Sequence, residues 1–184
     1  MSERLEGLSK QLEGRKDPSN PPVHLWHPPL SGDIDILILR DGTWLHEGRP
    51  IERASLVCLF ASILRREDDG NYYLVTPVEK WRLRVECLPL VIVDFSLEEA
   101  GTAQQRLHVH TNTGREYEVG EAHPLFIPDA DSVEIPVEGI PAVALDNGLA
   151  ALFSRAAWYR LVELGEDSEQ GFGLLSQGSF YMLG

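Results

Sequence analysis

The stretch that decides the fold is Gly32–Lys80, GDIDILILRDGTWLHEGRPIERASLVCLFASILRREDDGNYYLVTPVEK. Its first residues predict a strand over Asp33–Leu39, because alternate positions of a strand point to opposite faces and the isoleucines share one of them. The Asp-Gly pair that ends at Gly42 predicts a turn, since glycine adopts positive φ without steric cost. An apolar stripe spaced i, i+3, i+4, i+7 and i+8 then predicts an amphipathic helix over Glu52–Arg66.

The rest of the chain predicts the same mixture of elements. A second helical stripe predicts a helix over Leu149–Leu164, and short alternating runs around turn residues predict further strands. The order strand, turn, helix, acidic loop and strand occurs over Ile34–Leu74 and recurs over Val143–Leu175. We therefore predict an α+β fold of mostly antiparallel sheet with two main helices, and further expect two similar strand-helix-strand halves.

The expected organisation has three parts, with one compact unit formed by the last two. Residues 1–31 are an N-terminal helix followed by a proline-rich tether, and the halves cover 32–96 and 97–184. Five prolines between Asp17 and Gly32 favour an extended tether, since proline fixes φ and lacks an N–H donor. We expect this arm to pack on the body or on a second subunit, which would make residues 1–31 a homodimer contact.

Composition excludes several classes of protein. The chain has 184 residues and a formal net charge of −13, which disfavours a nucleic acid or an anionic membrane surface as partner. The apolar-leaning run Ser55–Leu64 is shorter than the ~20 residues of a spanning helix, and the N-terminus lacks the apolar core of a signal peptide. Two cysteines make no disulfide framework or zinc spacing, so we expect a cytoplasmic protein. No cofactor motif is present, and we expect no cofactor.

Two aspartates on the first strand form one candidate site. Asp33 and Asp35 lie on one face about 7 Å apart, given a strand rise of about 3.3 Å per residue. Paired carboxylates are hard oxygen ligands and are able to bind a divalent cation. The alternative is that both are solvent-facing residues at the start of a strand, which needs no ligand.

Charged residues at the end of the first helix and of the following strand form a second candidate site. We expect the run Arg65-Arg66-Glu67 to meet Thr76, Glu79 and Lys80, so that the arginine forks bind an anion or a carboxylate. The alternative, which we favour, is an internal salt-bridge network that pins the helix to the sheet, with Arg65 or Arg66 paired to Glu79.

Two histidines on a predicted strand form a third candidate. His108 and His110 point the same way, and His123 or Glu121 would complete a metal site by folding back. The alternative is that Val109 faces the core and both imidazoles face solvent.

Several short pieces of the sequence also carry a family resemblance. They are Gly32-Asp33-Ile34-Asp35, Arg40-Asp41-Gly42-Thr43-Trp44, Pro50-Ile51, Leu64-Arg65-Arg66-Glu67-Asp68 and Tyr73-Leu74-Val75-Thr76-Pro77-Val78-Glu79-Lys80, with Thr111-Asn112, His123-Pro124 and Gly178-Ser179-Phe180 as later landmarks. Together they resemble an uncharacterised bacterial family, domain of unknown function 1285. The resemblance implies an α+β fold with a repeated structural motif and a role in signalling, and it brings no catalytic residue with it.

The leading hypothesis is a non-enzymatic regulatory module that binds a small molecule or a protein partner. Its binding residues are the six charged side chains of the first two candidate sites, which are Asp33, Asp35, Arg65, Arg66, Glu79 and Lys80. The competing hypothesis is a metal-dependent enzyme that uses the Asp33/Asp35 pair or the His108/His110 pair.

Overall fold

The structure, a computed structural model, describes residues 6–8, 10, 21–128 and 139–183. These residues form fifteen strands and two main helices, α1 at Ala54–Ser62 and α2 at Arg155–Val162. Short 3-10 turns lie at Val23–Leu25 and Asp146–Gly148. The α+β class predicted from the sequence is confirmed. Within the described ranges no helix is long and apolar enough to cross a membrane.

The strands fall into three sheets. Their bounds are β1 Leu30–Ile38, β2 Trp44–His46, β3 Arg49–Pro50, β4 Leu64–Arg66, β5 Tyr72–Val75, β6 Lys80–Val85, β7 Leu90–Glu98, β8 Arg106–Thr111, β9 Glu116–Val119, β10 Leu125–Phe126, β11 Ala142–Ala144, β12 Ala150–Phe153, β13 Glu166–Ser168, β14 Gly171–Ser176 and β15 Ser179–Met182.

The chain divides into two compact units. The first contains the described residues up to Leu39 together with Thr43–Val85, and the second contains Arg40–Gly42 and the described residues from Glu86 onward. The division expected from the sequence lies after residue 96, inside β7.

The first unit is built on a six-stranded sheet with the order β3-β2-β1-β6-β5-β4. Its central pair, β1 and β6, is parallel, and its other neighbours are antiparallel. The inner face carries the buried isoleucines of β1, and α1 contributes Phe60, whose ring stacks on Trp44 at 6.5 Å between centroids. Apolar burial on this one face leaves the other face for polar side chains.

The second unit repeats the strand path of the first. Its six-stranded sheet has the order β10-β11-β12-β7-β8-β9. The strands that come first and last along the chain, β7 and β12, again form the parallel pair at the centre. A three-stranded antiparallel sheet, β13-β14-β15, follows α2. The expectation of two similar halves is confirmed, but the second half begins at β7 rather than at Val143. What repeats is the order of the six strands. The helices do not repeat, because α1 lies between the third and fourth strands of its sheet, whereas α2 follows the sixth strand, β12.

The first predicted helix is shorter than expected. It ends at Ser62, and Arg65 and Arg66 belong to the edge strand β4, so their placement in the last helical turn was wrong. The main-chain N–H of Val75 donates to Ile63 O at 3.0 Å, and Leu64 pairs with Leu74. The pairing with β5 therefore captures residues whose apolar spacing also suits a helix.

The second predicted helix is also shorter, because its N-terminal third is a strand. Ala150–Phe153 forms β12, which is buried along its whole length between β11 and β7. Ser154 then caps α2, its Oγ accepting a hydrogen bond from Ala157 N at 3.2 Å. A short apolar run does not distinguish a buried strand from a helix, and here the neighbouring strands decide.

The proline-rich segment lies against the first unit. Val23 is fully buried within its 3-10 turn, so the expectation of an entirely extended tether was wrong at that point. Of the predicted N-terminal helix, residues 6–8 and 10 are helical and Leu8 is buried. The rest of that helix lies outside the described residues.

Candidate functional site

The outer face of the first sheet carries a group of four charged side chains. Alternation along β1 puts Asp33 and Asp35 on this face, opposite the buried isoleucines, and alternation along β6 puts Arg82 and Arg84 there. The parallel register sets Asp33 opposite Arg82. We call these four side chains the charged patch.

The two ion pairs of the charged patch differ in geometry. Arg82 donates from Nε to Asp33 Oδ1 at 2.7 Å and from a terminal nitrogen to Oδ2 at 3.0 Å, which is the two-pronged contact that favours arginine. This hydrogen bonding lowers the pKa of Asp33 and raises the pKa of Arg82. In the second pair, a terminal guanidinium nitrogen of Arg84 is 3.8 Å from Asp35 Oδ1. Both aspartates therefore share one face, as predicted, and each contacts an arginine.

A second, more buried cluster centres on Glu67. Arg65 contacts one carboxylate oxygen of Glu67, and Lys80 Nζ contacts the other at 2.7 Å. The three side chains are only 11% (Arg65), 23% (Glu67) and 16% (Lys80) exposed. An internal salt-bridge network is thus present, and its acid is Glu67 rather than the expected Glu79.

The same arginine reaches the proline-rich segment. A terminal nitrogen of Arg65 donates to Val23 O at 3.0 Å and to Trp26 O at 2.8 Å. The Nε atom of Arg65 is buried and has no hydrogen-bond partner. Arg65 therefore links its own strand, β4, directly to the segment around the 3-10 turn, and it contacts Glu67 as well.

Hydrogen bonds set the protonation of the groups in this cluster. Burial alone would raise the pKa of Glu67, but the hydrogen bonds from Lys80 and Arg65 outweigh it, and the pKa is lowered. Lys80 also lies over the ring of Tyr73 at 4.6 Å, and Tyr73 donates to Asp69 Oδ2 at 2.6 Å. That hydrogen bond, together with burial, raises the pKa of Tyr73 to about 12. The same bond, together with hydrogen bonds from Asn71, lowers the pKa of Asp69 to about 2.

The remaining two predicted residues have other partners. Arg66 donates from Nε to Gly70 O at 3.3 Å and lies over the ring of Tyr72 at 5.6 Å. Glu79 accepts a hydrogen bond from Trp81 Nε1 at 2.9 Å. The six predicted residues thus fall into the charged patch, the Glu67 cluster and two separate contacts.

Three residues of these two groups were not selected as site residues from the sequence. Arg82 and Arg84 of the charged patch were not considered, and Glu67 was named beside the two arginines but not chosen as a binding residue. Once residues 64–66 are a strand, Arg65 and Glu67 are two positions apart and point to the same face. The spacing of two residues between Arg65 and Glu67 would therefore have indicated their contact if this segment had been predicted as a strand rather than as a helix.

The two predicted histidines lie on β8 in the second unit. The Nδ1 atoms of His108 and His110 are 3.3 Å and 3.4 Å from the two carboxylate oxygens of Glu116 on the neighbouring strand β9. Val109 between them is buried, as predicted. The two imidazoles are on the outer face, but His108 is only 13% exposed because its neighbours cover it.

His123 does not join this pair. Its ring packs edge-on against Tyr117 at 5.2 Å, and its Nδ1 is 3.2 Å from Ala144 O. Tyr117 is buried and directly follows Glu116 on β9, so its side chain points to the opposite face of the sheet. In the part of the chain that the structure describes, no group of three or more His, Cys, Asp or Glu side chains is arranged to hold a metal ion.

Comparison with known proteins identifies relatives along nearly the whole chain. The model of the N-terminal domain of DUF1285, a domain of unknown function, matches residues 21–88, and the model of the C-terminal domain of DUF1285, a protein of unknown function, matches residues 89–183. No curated protein matches the chain.

Two solved structures are similar to this chain. A DUF1285 family protein from Silicibacter pomeroyi DSS-3 is 44% identical with a TM-score of 0.81, over 95% of this chain and 92% of that chain. A DUF1285 family protein from Shewanella baltica OS155 is 31% identical with a TM-score of 0.54, over 71% of this chain and 92% of that chain. The resemblance inferred from the short sequence pieces is confirmed, and the chain belongs to the DUF1285 family.

Proposed function

We propose that this protein is a non-enzymatic regulatory module that binds a partner on the charged patch of its first sheet. The ligand is a protein or small molecule that carries charges of both signs. Arg65 and Lys80 both contact Glu67 and stabilise the sheet that carries the patch. Arg66 and Glu79 provide further contacts at strand ends.

The observation that carries the proposal is the exposure of charge on the two central strands. A parallel pair is ordinarily covered on both faces, which favours apolar side chains throughout. Here the outer face of β1 and β6 presents Asp33, Asp35, Arg82 and Arg84, whose side chains are 66%, 64%, 44% and 71% exposed. Exposed ion pairs contribute about 0–1 kcal/mol to folding, so stability gives little reason for such an array. An acidic stripe beside a basic stripe is complementary to a partner with the reverse order.

The electrostatics of the patch favour recognition over acid–base chemistry. A general base works best when its pKa lies near the working pH. The hydrogen bonds from Arg82 instead lower the pKa of Asp33. Asp33 is therefore a fixed negative charge, which suits a binding surface.

We extend the proposal to a cytoplasmic regulator in bacterial signal transduction, the role that the family resemblance implies. Cys58 and Cys87 are both free thiols, which suits a reducing compartment. Signalling requires that occupancy of the charged patch change with a cellular signal.

The decisive experiment exchanges the charges of one pair without removing it. The double variant Asp33→Arg with Arg82→Asp keeps an ion pair on the sheet but breaks both stripes, because a positive charge then lies beside Asp35 and a negative charge beside Arg84. A photo-crosslinking amino acid in place of Leu37, two positions after Asp35 on the same face, reports partners in the bacterial cell. We expect a defined crosslinked product on the native background and about a tenfold loss of it in the exchanged variant, as a penalty near 1.4 kcal/mol would give.

The matched control places the same crosslinker at Glu52, an exposed residue just before α1. Thermal melting of the exchanged variant must match that of the native chain, which separates lost recognition from lost structure. The proposal is wrong if the product at position 37 persists in the exchanged variant. It is also wrong if position 37 gives nothing beyond the products at position 52.

A further inference from the structure

A cleft in the second unit lies beside the edge of the three-stranded sheet. Its volume is about 280 Å³, and its walls are the loop between β7 and β8, the exposed side chain of Leu164 after α2, strand β13, and residues 173–175 of β14 with Phe180 of β15. This size approaches the lower limit of small-ligand pockets, which is about 300 Å³. It suits one or two side chains better than a whole cofactor.

The cleft is held in shape by Gln105. Its side-chain oxygen accepts a hydrogen bond from Gly101 N at 2.8 Å, and its side-chain nitrogen donates to Leu175 O at 2.8 Å. The loop is thereby fastened to β14. On the cleft wall, a Cβ atom at Gly173 would lie 2.2 Å from Tyr181 O, so glycine is needed there and no side chain enters the space from this position.

One wall of the cleft is an open strand edge. β13 pairs with β14 through Glu166 and Gly173, Asp167 and Phe172, and Ser168 and Gly171. No strand in the described ranges pairs with the other edge of β13, and all three of its residues are exposed. Such an edge presents main-chain N–H and C=O groups that an added strand is able to use.

The charge around this edge has one sign. Glu163, Glu166, Asp167 and Glu169 are all exposed, and no lysine or arginine lies among them in the sequence. Within the described residues none of these four carboxylates forms an ion pair, and Arg160, the preceding cation, contacts Asp94 at 2.9 Å. A basic segment is the complementary occupant.

We propose that this cleft binds an extended basic peptide segment by strand addition to the open edge of β13. The peptide main chain pairs with β13, its side chains alternate between the two faces, and those on the cleft side enter the space beside Leu164 and Phe180. The lysine or arginine residues at alternate positions share one face of the added strand, where they contact whichever of Glu166 and Asp167 points to that face. The ligand class is a chain that alternates basic and small apolar residues.

The test uses three synthetic heptapeptides with a fluorescent label and the full-length protein. The first alternates arginine and valine, the second alternates glutamate and valine, and the third is the arginine–valine peptide methylated on alternate main-chain nitrogens. Methylation keeps the charge and removes the N–H donors. Fluorescence anisotropy should show binding of the first peptide, no binding of the second, and about a tenfold weaker binding of the third, the effect of losing roughly one to two hydrogen bonds.

Two charge-reversal variants complete the test. The double variant Glu166→Lys with Asp167→Lys should bind the arginine–valine peptide more than about tenfold more weakly than the native protein does. Glu52→Lys with Asp68→Lys makes the same change of net charge at exposed residues of the first unit and should leave affinity within about twofold. In the NMR spectrum, the peptide should shift the amide signals of Glu166–Ser168 most.

The proposal is overturned if the methylated peptide binds as tightly as its parent, because charge alone would then explain the affinity. It is equally overturned if both charge-reversal variants lose affinity to the same extent, or if the arginine–valine peptide fails to bind the native protein. This site shares no residue with the charged patch, so either proposal is able to fail while the other stands.

Discussion

The guanidinium group of Arg65 donates a hydrogen bond to the main-chain oxygen of Trp26 at 2.8 Å, while it also contacts the carboxylate of Glu67. A side chain of an edge strand thus holds a proline-rich segment whose own prolines cannot donate main-chain hydrogen bonds. Arg65 therefore attaches residues 23–26 to the first unit by two hydrogen bonds, in addition to the burial of Val23.

Replacing Arg65 by alanine should therefore be among the most destabilising changes in the first unit. The oxygens of Val23 and Trp26 and the carboxylate of Glu67 would all lose a donor in a poorly solvated place. We expect a loss of roughly 2–4 kcal/mol in the free energy of unfolding, measured by urea denaturation.

Arg66→Ala is the matched control for that change. Arg66 is exposed and contacts Gly70 O at the longer distance of 3.3 Å, so its removal should cost less than about 1 kcal/mol. Equal losses for the two variants would show that the attachment by Arg65 is energetically unimportant.

Acid should weaken the Glu67 cluster. The folded-state pKa of Glu67 lies below its ordinary value of 4.5, so the carboxylate stabilises the fold above pH 4.5 and this contribution is lost as the pH falls through the folded-state pKa. Glu67→Gln should be less stable than the native chain at pH 7, and the difference should shrink toward pH 3. Parallel stability curves for the two proteins over this range would contradict the assignment.

The hydrogen bond between Tyr73 and Asp69 should be visible in the titration of the phenol. The pKa of Tyr73 is raised from 10.0 to about 12, so the bond stabilises the fold below pH 10 and is lost as the pH rises past about 12. Asp69→Asn should move one of the five tyrosines down toward pH 10, as read from the Cζ carbon signals in NMR spectra. Tyr73→Phe should delete that same signal, which identifies it.

Chelators should leave the protein unchanged. His108 and His110 already contact Glu116, and no group of three or more His, Cys, Asp or Glu side chains in the described ranges is arranged to hold a metal ion. We expect the melting temperature to be the same with EDTA and with added zinc, and we expect no stoichiometric metal by elemental analysis. A stabilisation by zinc that His108→Ala abolishes would restore the metal-dependent hypothesis.

Much of the candidate site followed from the period of two along strands. The alternation around Asp33 and Asp35 placed both carboxylates on one face, and the structure shows the same alternation for Arg82 and Arg84 on β6. Local periodicity is sufficient to assign side chains to the two faces of a strand where one face is apolar and the other is charged. The sequence could not show that β1 and β6 are neighbours, because that pairing joins residues about 50 positions apart.

The two errors in helix bounds have one common cause. Leu64 fits the apolar stripe of α1, and Ala150–Phe153 fits the stripe of α2, yet both belong to strands. Their apolar side chains satisfy either period, and the backbone follows whichever hydrogen-bond partner is available. Those partners are β5 for the first segment, and β11 and β7 for the second. Glu67 was not predicted as the partner of Arg65 for the same reason, since that contact requires the strand.

The parallel pair at the centre of each six-stranded sheet has a consequence for synthesis on the ribosome. Because β1 pairs with β6 and β7 pairs with β12, neither sheet is complete until its sixth strand has left the exit tunnel. At a synthesis rate of about 5–20 residues per second, the edge of β1 stays unpaired for roughly 2–8 s before β6 is made. The edge of β7 stays unpaired for a similar time before β12 is made. The nascent chain therefore has two separate intervals of exposure to aggregation, and the first closes before the last strand of the second sheet has been translated.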